Sequence, residues 1–522
     1  MVMLRSIATV GGYTGISRVL GLVRDILIAR AVGTGDVADA FFVAFRLPNM
    51  FRRIFAEGAF NAAFVPLFAR RLEEEGPGSA KRFAEQSLSV LVFTLLPLLG
   101  LAMVAMPWVM LVLAPGFKAD PAKFALAVDL ARITFPYLLF MALAALLGGL
   151  LNSLYRFSAA AAAPILLNIF FIIALALVLP LTGHPGPVMA WAVAFAGVGQ
   201  FLVLVVAAAR AGMPLKLPRP RLTPGVKRLL RLMAPGVVSA GAMQINLVIG
   251  TIIASQQEGA VSFLYYADRI YQLPLGLIGI AFGVVLLPDL ARKLRAGSID
   301  AAGESMNRGL EISLLLTLPA TVALMVIPEP IIIVLYEHGA LTREGSEAIA
   351  MALIAFAGGL PAFVLVKVLQ TAFYAREDTR TPLVFALWSV AANVALSLLL
   401  FTVLRHVGIA LATSLAAWLN TGLLALSLVR RGHHTLDRRL LHRLPRIAAA
   451  AALMGALIWG LDQGIGAWFD GPLALQVIAL GVLVAAGFAA FFGFALLVGA
   501  ARISELRAMF RRPSAASPCG PS

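Results

Sequence analysis

Residues 7–31 read IATVGGYTGISRVLGLVRDILIARA. A bilayer crossing needs about 20 predominantly apolar residues, and this segment is long enough. Yet Arg18, Arg24 and Asp25 sit near its middle. A charge at mid-bilayer costs about 2.5–3.5 kcal/mol on insertion scales, so a cluster of them requires a polar interior. Helical geometry shows how one segment serves both environments. With Ser17 at the origin, Arg24 falls at about −20°, Gly21 at about 40°, Thr14 at about 60°, Asp25 at about 80° and Arg18 at about 100°. The opposite side holds Ile16, Val19, Leu20, Leu22, Val23, Ile26 and Leu27. The spacing predicts a membrane helix with one lipid face and one wet face.

The rest of the chain extends this reading. Of its 522 residues 61% are hydrophobic and 13% charged, with a mean hydropathy of +0.92. Soluble domains carry about 25% charged residues. Apolar runs recur along nearly the whole length. About fourteen segments meet the length criterion: 7–31, 37–66, 85–112, 127–151, 159–181, 187–209, 229–255, 261–290, 307–328, 346–374, 382–404, 407–429, 447–465 and 472–500. The fold class is therefore an all-α polytopic membrane protein. The first run, after Arg5, is too long and too polar for a secretion signal and is read as a retained helix.

The net charge of +16 comes from the loops. With the N-terminus in the cytoplasm, the inside loops hold most of the arginines and lysines. These include Arg70, Arg71, Lys81, Arg82, Arg219, Arg221, Lys227, Arg228, Arg292, Lys293, Arg376, Arg380, Arg430, Arg431, Arg438, Arg439 and Arg443. The outside loops hold little beyond Lys118, Lys123, Arg343 and Arg405. This is the positive-inside pattern, and it predicts both termini in the cytoplasm. Nothing pairs the basic charge with a nucleic-acid recognition helix or stacking motif, so nucleic acid is not an expected partner. One cysteine, Cys519, and six scattered histidines offer no disulfide framework and no metal-ligand spacing.

Composition divides the chain into a first lobe (1–210), a basic proline-rich linker (211–228), a second lobe (229–430), a second basic linker (431–446), a final helix pair (447–500) and a polar tail (501–522). The tail, ending RRPSAASPCGPS, has the composition of a disordered segment. DAFFVAFRLP (39–48) and FLYYADRIYQLP (263–274) echo each other near the start of the two lobes. The echo suggests a parallel internal repeat of the kind transporters use.

The charged positions within the apolar segments define a candidate site: Arg18, Arg24, Arg52 and Arg269, with Ser17, Asp25, Asp39, Glu57 and Asp268 as supporting polar groups. Arg46, Arg53 and Arg132 are read as snorkelling toward an interface. Arg24 with Asp39, or Arg269 with Asp268, could instead be structural ion pairs. Arginines outnumber acids in the set, and guanidinium forks match phosphate oxygens in pairs, so an anionic, phosphate-bearing substrate is expected. The chain has no G-x-S-x-G, HExxH or Walker motif, which argues against an enzyme and against direct ATP drive. No cofactor is expected.

SRVLGLVRDILIARAVGTGDVADAFFVAFRLPNMFRRIFAEGAFNAAFVP (17–66) resembles the N-terminal region of the bacterial MurJ (MviN) lipid II flippases. Further blocks of that family follow in order: ITFPYLLFMALAALLGGLLNSLYRFSAAAAAPILLN (133–168), YYADRIYQLPLGLIGIAFGVVLLPDLA (265–291) and AFYAREDTRTP (372–382). The resemblance covers roughly residues 1–500. It implies the multidrug/oligosaccharidyl-lipid/polysaccharide exporter fold, with two six-helix lobes in a V and two additional C-terminal helices. It also implies movement of lipid II, an undecaprenyl-diphosphate-linked peptidoglycan precursor, from the cytoplasmic to the periplasmic leaflet of the inner membrane. Arg18, Arg24, Arg52 and Arg269 would bind the head group, and the last two helices would offer a groove for the lipid tail. Membrane lipids and cell-wall synthesis or division proteins are the other partners it implies. Some members are similar in having a sodium site with carboxylates in the second lobe. Here the spans after Pro382 offer only Asn393 and Asn420, so a coupling cation has no identified site. The alternatives are a flippase for another undecaprenyl-linked saccharide, a MATE-like drug or cation antiporter, and a non-transporting scaffold.

Overall fold

The computed structural model describes the backbone of residues 2–54 and 60–500, and their side chains except at 2–8, 54, 238–240, 242–243 and 277–285. Glu57 and the tail 501–522 lie outside the described residues. Among these residues every regular element is a helix. In chain order they are α1 (Val2–Val32), α2 (Asp36–Ile54), α3 (Phe60–Glu74), α4 (Pro77–Val104), α5 (Met106–Leu113), α6 (Pro121–Thr134), α7 (Tyr137–Ser153), α8 (Phe157–Ile173), α9 (Leu179–Thr182), α10 (Pro185–Arg210), α11 (Pro224–Ala254) and α12 (Ala260–Arg295). There follow α13 (Ile299–Val326), α14 (Pro328–Tyr336), α15 (Arg343–Ala357), α16 (Leu360–Tyr374), α17 (Arg380–Arg430), α18 (Arg438–Ile465) and α19 (Leu473–Leu497).

Among the described residues nine helical stretches are long and apolar enough to cross a membrane. The charged first helix is not one of them. The predicted segments are broken where local chemistry breaks them. Segment 127–151 divides at Phe135–Pro136 into α6 and α7, because Pro136 cannot donate the amide a continuous helix needs. Segment 346–374 divides at Gly358–Gly359 into α15 and α16. Conversely, α17 runs over both 382–404 and 407–429 but is non-helical at Arg405 (φ 54°, ψ −136°). An unbroken helix of its 51 residues would measure about 75 Å, more than twice a bilayer core. The two halves lie side by side instead: the Ser389 hydroxyl donates to the Ala416 carbonyl at 2.7 Å. Gly408 is packed so closely that a Cβ there would stand 2.5 Å from the Leu400 carbonyl oxygen.

The chain forms two compact units, residues 1–266 with 336–346, and residues 267–335 with 347–522. The division falls inside α12 and not at the basic linker, because α11 packs on α2, α3, α4 and α5 of the first unit. The linker itself is shorter than expected. Thr223 caps α11 through the Val226 amide, with Pro224 at the first position, so 224–228 are already helical. The second basic linker is likewise partly helix. Asp437 accepts from the Leu440 amide at 2.6 Å and starts α18 at Arg438.

In the first unit α1 lies on α8, α2 on α6, and α10 on α6, α7 and α8. In the second, α13 packs on α16 and α18, and α18 on α19. Leu101, Val104, Trp108 and Val112 of α4 and α5 are exposed, as are Leu399, Val403, Trp459 and Phe488 of the second unit. In water such apolar surface would drive aggregation; in a bilayer it is the lipid face.

Candidate functional site

Two charged constellations occupy the first unit. One is centred on Arg24, which is only 7% exposed where α1 lies on α8. Its Nε and Nη2 donate to Asp25 Oδ1 at 3.0 and 2.8 Å. Its Nη1 donates to Asn168 Oδ1 of α8 at 3.0 Å, and Asn168 Nδ2 donates in turn to the Ser17 carbonyl at 2.9 Å. The guanidinium carbon stands 5.6 Å from the centre of the Phe171 ring. The Tyr265 hydroxyl donates to Asp25 Oδ1 at 3.3 Å. A buried guanidinium held at three nitrogens and over an aromatic face has little freedom left. It is a fixed group of known direction, as recognition of a planar anion requires.

The second constellation is centred on Asp39, whose side chain is fully buried. Oδ1 accepts from the Ser262 amide and hydroxyl, each at 2.9 Å. Oδ2 accepts from the Gly259 amide and from Lys123 Nζ, again at 2.9 Å each. Lys123 also pairs with Asp36 at 2.9 Å. Asp39 is therefore neither a cavity-wall carboxylate nor the partner of Arg24. Four donors fill its oxygens, and its countercharge is the Lys123 ammonium.

The other predicted residues fall as follows. Ser17 is half-buried beside Asn168, while Arg18 is exposed on α1. Arg52 is half-buried on α2, its Nε donating to Asn49 Oδ1 at 3.0 Å. Arg46, expected to snorkel, instead donates to the Thr251 hydroxyl of α11. Arg132 donates to the Met103 carbonyl at 3.2 Å and pairs with Asp129 at 3.7 Å. Arg269 and Asp268 are half-buried on α12 in the second unit, where Gln272 bonds Asp268. Glu57 lies outside the described residues.

The two echoing motifs meet within the first unit. Phe42 stacks on Tyr265 with ring centres 3.8 Å apart and meets Tyr266 edge-on at 5.4 Å. Sequence reading placed neither Asn168 nor Lys123 in the site. Asn168 gave no signal, being one amide in an apolar run. Lys123 gave one: Asp120 caps α6 through the Ala122 and Lys123 amides, so Lys123 occupies the first turn. A cation there opposes the helix dipole, and a buried one demands acids nearby.

The second unit holds a further charged node. Glu311 of α13, 5% exposed, receives Arg308 from its own helix and Arg439 and Arg443 from α18. Arg308 also reaches Asp437. Beyond it the same two helices and α19 enclose an apolar groove of about 230 Å³, lined by residues including Leu316, Ala320, Met454, Ile458, Val484 and Phe488. Among the described residues no group of three or more His, Cys, Asp or Glu side chains could hold a metal ion.

Residues 28–479 match the family model described as Lipid II flippase MurJ. A probable lipid II flippase MurJ of Rhizobium meliloti (strain 1021) is 48% identical over 525 residues, covering 99% of this chain and 98% of the relative. A lipid II flippase MurJ of Burkholderia cenocepacia is 36% identical over 466 residues, covering 88% and 90%. Among solved structures, a lipid II flippase MurJ in an inward closed conformation superposes with a TM-score of 0.78 at 25% identity, covering 96% of this chain and 99% of that one. An inward-facing MATE-family multidrug transporter of the MOP superfamily, at 16% identity, shares the fold, with a TM-score of 0.65 over 80% and 94% of the two chains. On sequence and structure alike, the chain belongs to the lipid II flippase MurJ family.

Proposed function

We infer that this chain moves lipid II from the cytoplasmic to the periplasmic leaflet of the inner membrane by alternating access, both termini remaining in the cytoplasm. The observation that carries the reading is Arg24: a guanidinium fixed inside a membrane helix bundle by Asp25, Asn168 and Phe171. A buried ion pair is often no better than break-even against apolar packing, so stability alone gives little reason to place one here. Because Asp25 offsets its charge, Arg24 orients the diphosphate, and Arg18, Arg52 and Arg269 supply the added positive charge. The apolar groove of the second unit takes the undecaprenyl tail, which stays in a lipid-like environment while the head crosses. Loop contacts support the topology. Loops assigned by charge to the cytoplasm meet one another: Glu85 accepts from the Lys216 amide, Gln86 from the Arg221 amide, and Asn307 donates to the Thr435 carbonyl.

A drug or cation antiporter would need acids to dominate the site, and the carboxylates of the described site residues are already engaged by cations or other donors. The test is complementation in cells depleted of their own flippase. Arg24→Ala and Arg269→Ala should insert normally yet fail to sustain growth. Full growth with Arg24→Ala would remove that residue from the binding site.

A further inference from the structure

Three segments far apart in sequence converge on the α1–α2 turn of the first unit. Residues 115–123 bring Lys123, residues 255–262 bring the start of α12, and residues 336–346 bring the turn after α14. The topology read from charge puts all of them outside. Most of the contacts have a backbone group on one side. The Ala340 amide donates to the Arg30 carbonyl at 2.9 Å, and the Tyr266 hydroxyl donates to the Gly33 carbonyl at 3.0 Å. The Gly116 amide donates to the Ser255 hydroxyl at 3.2 Å. Glycines permit the approach: a Cβ would lie 2.4 Å from the Ala340 carbonyl oxygen at Gly33 and 2.1 Å from that of Ser255 at Gly116.

Asp39 is the hub of this clasp: its carboxylate receives the Gly259 amide and the Ser262 amide and hydroxyl at the start of α12. Its two oxygens accept from four donors, which suits the ionised form, and Lys123 supplies the countercharge. The ammonium is 7% exposed, bridges buried Asp39 and half-exposed Asp36, and sits 4.6 Å above the Phe117 ring. Backbone hydrogen bonds made to a carboxylate are roughly twice as strong as neutral ones. A neutral or misdirected Asp39 would hold Gly259 and Ser262 far less firmly.

We propose that Lys123 is a positioning residue of the transport cycle: it fixes the ionised Asp39 that fastens the start of α12, and so sets how readily this clasp opens to the outside. Lys123 does not touch substrate. The proposal rests on the alternating-access reading, since only a site that must open outward needs a fastening that releases. Hydrogen bonds gathered on one carboxylate can part and re-form together.

The experiment uses full-length protein in liposomes, with Cys519→Ser removing the native thiol and Ala260→Cys placing one in the buried start of α12. An impermeant maleimide applied from outside reads clasp opening, and lipid II flipping is measured on the same preparation. Lys123→Met should raise labelling at least about tenfold, given what removing one partner of a buried pair costs. It should lower turnover while leaving the half-saturating lipid II concentration within about twofold, as expected of a residue outside the binding site. Lys123→Arg, which keeps the charge, should recover part of both. Ser262→Ala strands no charge, should fold if Lys123→Met does not, and should raise labelling by a smaller factor. Unchanged labelling in both Lys123→Met and Ser262→Ala, with or without lost flipping, overturns the proposal. Failure of the cysteine parent itself to flip lipid II, with labelling still sensitive to Lys123, would instead count against the flippase reading and leave the clasp standing.

Discussion

Arg24 and Asp39 each take a charge into the helical interior, and each is answered locally. Arg24 finds Asp25 beside it in sequence; Asp39 finds Lys123, which lies 84 positions further on. The difference matters for substitution. Removing the Asp25 carboxylate leaves Arg24 still bonded to Asn168, so Asp25→Asn should reduce flipping roughly 10-fold, the scale of one charged hydrogen bond, while protein yield is retained; reconstituted transport checks this. Asp378, in the AFYAREDTRTP block, behaves differently because it is at the surface of the second unit. It accepts from the Thr381 amide at 2.9 Å and hydroxyl at 2.6 Å and pairs with Arg431 at 2.9 Å. Those donors, Thr381 foremost, hold its pKa at about 2. A depressed carboxylate stabilises above its unfolded pKa and ceases to as pH falls through the folded one. Thermal unfolding should therefore separate wild type from Asp378→Asn at pH 7, and the gap should close between about pH 4 and pH 2. The charges themselves were legible in sequence because a charge in an apolar run has no neutral explanation. Their partners were not, since Asn168 and Lys123 reach the site only through the packing of α8 and α6.

Hydropathy ran through the breaks at Pro136 and Gly358–Gly359 and carried the two linkers past the Thr223 and Asp437 caps, because it measures apolar content and not backbone chemistry. The turn at Arg405 was legible only as a gap between two apolar runs, because no glycine stands there to announce a positive φ. Gly33 is the reverse case. Its φ of +57° and its contact with Ala340 both exclude a side chain, while Gly35, two residues on, has open space around it. Gly33→Ala should lower the unfolding temperature by the equivalent of about 1–2 kcal/mol or more, whereas Gly35→Ala should stay within about 0.5 kcal/mol. A groove on the last two helices, α18 and α19, was implied by the family resemblance, but its other wall, α13 with Leu316 and Ala320, was not. Ala320→Trp should slow flipping of full-length lipid II and spare an analogue with a shortened prenyl tail. Equal loss on both substrates would show that the groove carries no tail.

Across the whole chain, electrostatics and hydropathy agree. The positive loops that the sequence placed together do meet within each unit, through Arg376 and His433, Asp378 and Arg431, and Arg308 and Asp437. The loops assigned to the other side meet in the clasp around Asp39. Two independent signals, charge bias and contact, thus sort the loops into the same two groups, which supports the proposed topology. What composition could not distinguish is the saccharide on the diphosphate, because any undecaprenyl-linked head group asks for the same arginines. Family membership supplies that step. The most direct measurement is translocation by the purified protein in liposomes, with lipid II set against another undecaprenyl-diphosphate-linked saccharide and Arg24→Ala beside the wild type. Selective movement of lipid II, lost in Arg24→Ala without loss of protein insertion, is the expected result. Movement of lipid II by Arg24→Ala at the wild-type rate would contradict it.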